Sequence, residues 1–490
     1  MQISSEKTKS IKHNYLMNML LTISTILFPL ISFPYVSRIL KPEGIGRVAF
    51  ASSLISYFSM FAQLGISTYG IRETARIRDN KSELSKFVKE IMSINIITCL
   101  ISYTFFFLSL VFVPRLQNDK ALYLCMSSSI LFTACGLEWM YQGLEKYDYI
   151  TKRSILFKLI AFLGMFLIIR TKNDVLQYGI LTVVASVGSN VCNLINARKY
   201  ISIKNVKIEA AETIRHLKPI FTFFSMSVAT TIYTNLDNIM IGFMSTNNQV
   251  GYYNAATKVK AALVSVVASL GTVILPRASY YIKNGYNEEF HKLSYKALNF
   301  TMIVSIPLTL YFFAFAKHCI LVLSGSEYLP AIESLQILLP TVIFIGLTNV
   351  IGMQVLVPLG KEKIVLFSVI VGALIDFIIN FILIGQFGAA GAAVGTLVAE
   401  GVVLIVQFQS YKSDLLASFR KIKLMKILCA SLLSFALSYY IAQFIGDDLL
   451  NLICTFIVFS FVYCLSLFIM KEPLVYSYSI SYINKMRVNK

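Results

Sequence analysis

Of the charged side chains inside or at the ends of apolar stretches of this 490-residue chain, eight could do chemistry: Arg38, Arg47, Lys158 and Lys258, and Glu138, Asp237, Asp376 and Glu400. An ionised group in hydrocarbon is costly, so one that is kept there faces a water-filled cavity or a partner. Asp376 and Glu400 stand nearest the middle of their stretches. A carboxyl in low dielectric holds its proton more tightly than in water, which brings proton or sodium binding within reach. A structural pair with a lysine is the other reading of each acid. The four basic residues suit an anion such as a phosphate, arginine being able to bond two oxygens at once. For Arg38 and Arg47, close to the ends of their stretches, snorkelling toward lipid headgroups serves equally well.

Covalent chemistry finds little support. No glycine loop of the phosphate-cradling kind is present. The one adjacent acidic pair in an outer connection, Asp447-Asp448, has no nearby histidine and reads as a solvated turn. The eight cysteines show no CxxC or Cys/His ligand spacing and read as apolar packing residues, so neither a metal site nor a cofactor is expected. Tyrosines gather at stretch ends, as at Tyr141, Tyr147 and Tyr149 or Tyr252 and Tyr253. Interfacial belts account for most of them, and those facing a cavity could stack on sugar rings.

The elements that carry these residues are long apolar runs. They cover 14–37, 46–68, 91–113, 120–141, 154–170, 175–195, 219–243, 250–275, 297–316, 331–357, 363–385, 389–410, 426–445 and 449–470. A helix crosses a bilayer in about 20 residues, and in lipid only helices or closed barrels satisfy their own backbone. The expectation is an all-α polytopic membrane protein with about 14 transmembrane helices. Between 317 and 345, Lys317, His318 and Glu327 interrupt the apolar pattern and leave room for a short interfacial helix. Composition agrees: 56% of residues are hydrophobic and 14% charged.

The net charge of +19 is a topology signal rather than a nucleic-acid footprint. With the N-terminus inside, about three quarters of the lysines and arginines fall in connections on one side, as the positive-inside rule requires. Both termini are then expected in the cytoplasm. The polar first 13 residues lead straight into a full-length span without a small-residue cleavage pattern, so the first helix is expected to act as the targeting signal.

The basic stretch 196–218 separates six spans from the next six and suggests lobes at 1–205 and 206–412, with two further helices and a tail in 413–490. A faint repeat supports the division. Ile45, Gly46, Ala51, Ser52 and Leu54 align with Val250, Gly251, Ala256, Thr257 and Val259, and Gly143 to Lys146 aligns with Pro358 to Lys361. Entry from the same side makes the repeat parallel, a pseudo-twofold about the membrane normal. Pro29, Pro34, Pro307 and Pro340 lie within spans and are expected to kink them.

Several local stretches carry a likeness. Asn14-Tyr15 through Pro29, Phe33 to Leu40, Glu43 to Gly46 and Gly65 to Glu73 resemble the start of Wzx-type polysaccharide flippases. So do Trp139 to Tyr147, Asn235 to Asp237 with Val250 to Ala256, and Gly388 to Ala393. The resemblance implies membership in the multidrug, oligosaccharidyl-lipid and polysaccharide exporter superfamily, with two six-helix lobes around a cavity and two extra helices. It further implies alternating-access transfer of a polyprenyl-pyrophosphate-linked oligosaccharide (undecaprenyl in the usual case) across the bacterial cytoplasmic membrane, without covalent catalysis. Coupling to H+ or Na+ and contact with the polysaccharide polymerase machinery would follow. Arg38 and Asp237 lie inside the matching stretches. A multidrug/cation antiporter on the same fold and a membrane polysaccharide polymerase are the alternatives; the second would need a long outer loop with catalytic residues, which is not seen.

Overall fold

The first helix, α1 (Ile11–Gln63), is broken at Lys41, whose φ of 62° and ψ of 173° turn the chain between two spans. The break sits where Pro42 follows, a proline ring disfavouring the α conformation in the residue before it. The computed structural model describes residues 11–202, 210–269 and 271–477. The expected lobe boundary between 205 and 206 lies outside the described residues, as do Lys7, Lys9 and the tail from 478.

By contacts the chain falls into two compact units, Met1–Gly251 and Tyr252–Lys490. After α1 the first unit contains α2 (Ile66–Ile77), α3 (Lys81–Phe112), α4 (Lys120–Cys135), α5 (Glu138–Gly143) and α6 (Tyr147–Ile168). Then come α7 (Val175–Val183), a π turn at Val184–Gly188, α8 (Ser189–Ala197) and α9 (Leu217–Met244). The helix α10 (Asn247–Ala268) runs into the second unit, which continues with α11 (Gly271–Lys283), α12 (Asn287–Ala314) and α13 (Ala316–Ser324). Next are α14 (Ala331–Leu338), α15 (Thr341–Thr348), a π segment at Asn349–Leu356 and α16 (Glu362–Gln409). Last come α17 (Lys412–Lys421), α18 (Leu424–Ala442) and α19 (Asp448–Ile469).

Among the described residues, nine helices are long and apolar enough to cross a membrane, and two of them hold a pair of expected spans each. One is α1. The other is α16, which breaks at Gly388, where φ 54° and ψ −123° suit only a residue without a Cβ. Helices α6, α9 and α10–α11 cover further expected spans. Where Lys317 to Glu327 interrupted the apolar pattern, α13 forms a separate nine-residue helix ahead of α14. In α1 the backbone dihedrals stay helical at Pro29 and Pro34, and only Lys41 departs.

The faces of these helices explain their composition. On α3, Leu100, Phe105 and Phe112 are 64%, 62% and 75% exposed, an arrangement that water would not tolerate over so large a surface and lipid favours. Polar side chains turn inward instead. The buried Asn95, Asn190 and Asn193 donate to the carbonyls of Ala134, Phe132 and Gly136. In the second unit, α19 is held to α12 by buried phenols, Tyr311 donating to the Leu452 carbonyl at 2.7 Å and Tyr463 to that of Ile303 at 2.8 Å. The fold is therefore all-α and multi-pass, with polar side chains bonded to carbonyls of neighbouring helices.

Candidate functional site

A cavity of about 750 Å³ lies within the first unit, and its polar lining comes from stripes at helical spacing. Ser52, Ser56, Ser59 and Gln63 follow one face of α1, Ser129 and Thr133 one face of α4, and Ser227, Thr230, Thr231 and Asn235 one face of α9. Thr182 comes from α7 and Ser186 from the π turn that follows it. Several hydroxyls donate to carbonyls of their own helix: Ser56 to Ser53, Thr182 to Tyr178, Ser186 to Val183 and Ser227 to Phe223. Their oxygen lone pairs remain for a ligand's donors, while Gln63 and Asn235 bring amide groups. Ile55, Met126, Val187 and Phe223 supply apolar patches between them. Among the described residues, none that lines it is charged.

None of the eight charged candidates lines this cavity. Arg47 pairs with Asp119 through two guanidinium nitrogens, Nε donating to Oδ2 at 3.0 Å and Nη2 to Oδ1. Beside it Arg115 donates to the Gly242 carbonyl at 3.0 Å and to Asn247 Oδ1 at 2.7 Å, so this cluster ties together the connections at one end of the unit. Arg38 is exposed and donates to the Pro34 carbonyl one turn back, at 2.7 Å. Glu138 lies 3.4 Å from the guanidinium of Arg153, which is itself buried and also donates to the Ser189 carbonyl at 2.7 Å. Lys158 is half-buried, its ammonium donating to Ser24 at 2.9 Å, and Asp237 is buried on α9.

The second unit holds the other three. Asp376 (2% exposed) and Asn380 (0%) occupy one face of α16 before its break, and Glu400 (7%) lies after it. Gly395 packs so closely that a Cβ there would overlap Asn380 Oδ1 and come within 2.8 Å of Asp376 Oδ1. Thr396, next along, shares a hydrogen bond of 2.9 Å with Tyr253 on α10. The break at Gly388 thus folds the two halves of α16 so that Asp376, Asn380 and Gly395 meet. Lys258, also on α10, is half-buried.

Sequence reasoning missed the hydroxyl stripes because serine and threonine are ordinary packing residues in membrane helices. The spacing 52, 56, 59, 63 on one helix was the available signal. It also missed Arg153, hidden in a basic run, and the buried pair Glu90 and His216, whose atoms approach to 2.8 Å from helices 126 residues apart in sequence. Outside the spans, Lys86 pairs with Glu212; that bond raises the lysine's pKa and lowers the glutamate's.

Several of the stretches that carried the family likeness prove to be packing motifs. Trp139 lies against the bare backbone of Gly70, and Gly143 against Thr74, where any Cβ would collide. Among known proteins, the family described as polysaccharide biosynthesis protein matches residues 11–282, and a MatE domain matches 220–382. A putative O-antigen transporter of Shigella dysenteriae is 26% identical over 404 residues, 82% of this chain and 100% of that one. A probable low-salt glycan biosynthesis flippase of Haloferax volcanii, Agl15, is 24% identical over 391 residues, covering 76% of this chain and 78% of its own. Of solved structures, the lipid II flippase MurJ in an inward closed conformation superposes with a TM-score of 0.77 at 17% identity, across 94% of this chain and all of that one. Matched over more than half its length, the chain belongs to the polysaccharide biosynthesis protein family, as a Wzx-type member of the multidrug, oligosaccharidyl-lipid and polysaccharide exporter superfamily.

Proposed function

We propose that the protein is a flippase carrying a lipid-linked oligosaccharide across the bacterial cytoplasmic membrane, the lipid being a polyprenyl pyrophosphate. The observation that carries this reading is the uncharged cavity lined by hydroxyls and amides inside an otherwise apolar helical protein. Sugars are neutral and rich in hydroxyl groups, and such a lining offers them acceptors without the cost of burying charge. The apolar patches between the polar stripes suit the faces of sugar rings. The names of its relatives, an O-antigen transporter and a glycan flippase, point the same way.

In this reading the pyrophosphate is met by basic residues, for which the half-buried Lys158 and Lys258 are better suited than Arg47, already engaged with Asp119. Asp376 or Glu400 takes up the coupling ion, H+ or Na+, and transfer proceeds by alternating access of two lobes divided near residue 205, with both termini cytoplasmic. Arg38, Glu138 and Asp237 serve structure or steering, and the delivered unit passes to the polymerase machinery. The MatE match over 220–382 keeps a multidrug/cation antiporter as the second reading. A cavity without carboxylates is a poor host for a cation, which favours the flippase.

The test is exposure of lipid-linked repeat units to an impermeant sugar-labelling reagent in spheroplasts with and without the gene. Loss of outer labelling with retained or increased total lipid-linked unit is expected. Normal outer labelling with short or absent polymer would move the role to polymerisation, and no change in either would favour the antiporter.

A further inference from the structure

A buried chain of an acid, an imidazole and a phenol stands apart from every group used so far. Glu90, at the start of α3, is 0% exposed, and its Oε2 lies 2.8 Å from Nε2 of His216. Nδ1 of His216 lies 2.6 Å from the hydroxyl of Tyr69 on α2. The other carboxylate oxygen, Oε1, is buried with no hydrogen-bond partner among the described residues. Phe87 packs edge-on against the imidazole at 5.4 Å between centroids, and Trp139 against Phe87 at 5.7 Å. The charged groups around this chain are mostly engaged with one another. Arg72 pairs with Glu73 on α2, and Lys86 on α3 pairs with Glu212. Arg215, largely exposed, reaches Glu90 at 3.5 Å.

The geometry accepts a proton without losing a bond. With Glu90 ionised and the imidazole neutral, Nε2–H donates to the carboxylate and Nδ1 accepts from the Tyr69 hydroxyl. When one proton adds at Nδ1, that nitrogen becomes a donor and the phenol oxygen turns to accept, so both hydrogen bonds persist. The carboxylate next to the imidazolium offsets the cost of a buried cation. Two of the three members adjoin elements that line the cavity. Tyr69 directly follows the lining residue Thr68, and His216 directly precedes α9, which carries Ser227, Thr230, Thr231 and Asn235.

We propose that Glu90, His216 and Tyr69 form a proton-binding site that fastens the start of α9 to α2 and α3 and links protonation to the shape of the hydroxyl-lined cavity. Only its bearing on transport rests on the flippase reading, because proton binding itself can be measured without substrate.

The chain has four histidines and one tryptophan, which makes the measurement direct. Replacing His13, His291 and His318, all partly exposed, by glutamine leaves His216 as the sole histidine. The full-length triple variant, with labelled histidine and in lipid nanodiscs, is titrated by NMR between about pH 5 and 9, the window that brackets an ordinary histidine. A single titration at His216 is expected, with Trp139 emission changing at the same midpoint. Adding Glu90→Gln, which replaces the carboxylate beside the imidazole by a neutral amide, moves that midpoint. Tyr69→Phe, which leaves imidazole and carboxylate in place, moves the midpoint as well. A His216 resonance that stays flat across the range, or a midpoint that neither variant moves, would overturn the proposal while leaving the flippase reading untouched.

Discussion

Gly46 and Gly251, aligned by the faint internal repeat, lie in direct backbone contact within the first unit. A Cβ on Gly46 would overlap the Asn247 carbonyl and fall 3.0 Å from the Gly251 amide nitrogen; one on Gly251 would overlap the Pro42 carbonyl. Alanine at either position forces main chains apart, for a cost at the upper end of overpacking, about 2 to 3 kcal/mol. Gly401, whose nearest neighbour to a new Cβ is Phe344 at 3.7 Å, accepts alanine freely. Thermal unfolding of the purified variants should separate Gly46→Ala and Gly251→Ala from Gly401→Ala, and equal midpoints would refute the contact.

The polar stripes predict a loss of transport without a loss of fold. Gln63→Leu with Asn235→Leu removes both amides from the cavity lining. Two lost hydrogen bonds at about 1 kcal/mol each weaken substrate handling by roughly 10- to 30-fold. Outer-leaflet labelling of repeat units at matched protein abundance reads this, and unchanged labelling would remove the cavity from the substrate path.

Lys258 is half-buried on α10, and removing its charge should divide stability from activity. Lys258→Met relieves a desolvated ammonium, so thermal stability holds or rises. Transport falls by roughly tenfold or more if the ammonium meets the pyrophosphate, the usual worth of a charge-assisted hydrogen bond. Combining it with Arg38→Gln tests both basic positions at once; full transport in the double variant would exclude them from phosphate binding.

Asp376 can be probed without touching its charge. Gly395→Ala pushes a methyl into Asn380 and against Asp376, whereas Gly385, with nothing within 4 Å of a new Cβ, tolerates the same change. Gly395→Ala should therefore match Asp376→Asn in removing the dependence of transport on an ion gradient, and Glu400→Gln decides whether the second acid takes part. Gradient dependence that survives all three assigns these acids to helix packing alone.

The apolar runs alone determined that this is a multi-pass helical protein, because a span of about 20 residues is forced on any chain that crosses hydrocarbon. They also located the turns at Lys41 and Gly388 to within a few residues, since a break in hydropathy marks where the chain leaves the membrane. The charged residues were equally legible as positions, but their roles were not. Whether Arg47 is free or tied to Asp119, or Glu138 joined to Arg153, depends on partners 72 and 15 residues away that no local pattern reveals. Tertiary structure alone decided that serines and threonines from α1, α4, α7 and α9 converge on one cavity, and that Glu90, His216 and Tyr69 meet. Helical spacing records which face of one helix a residue occupies; which faces of different helices meet is set by packing between them.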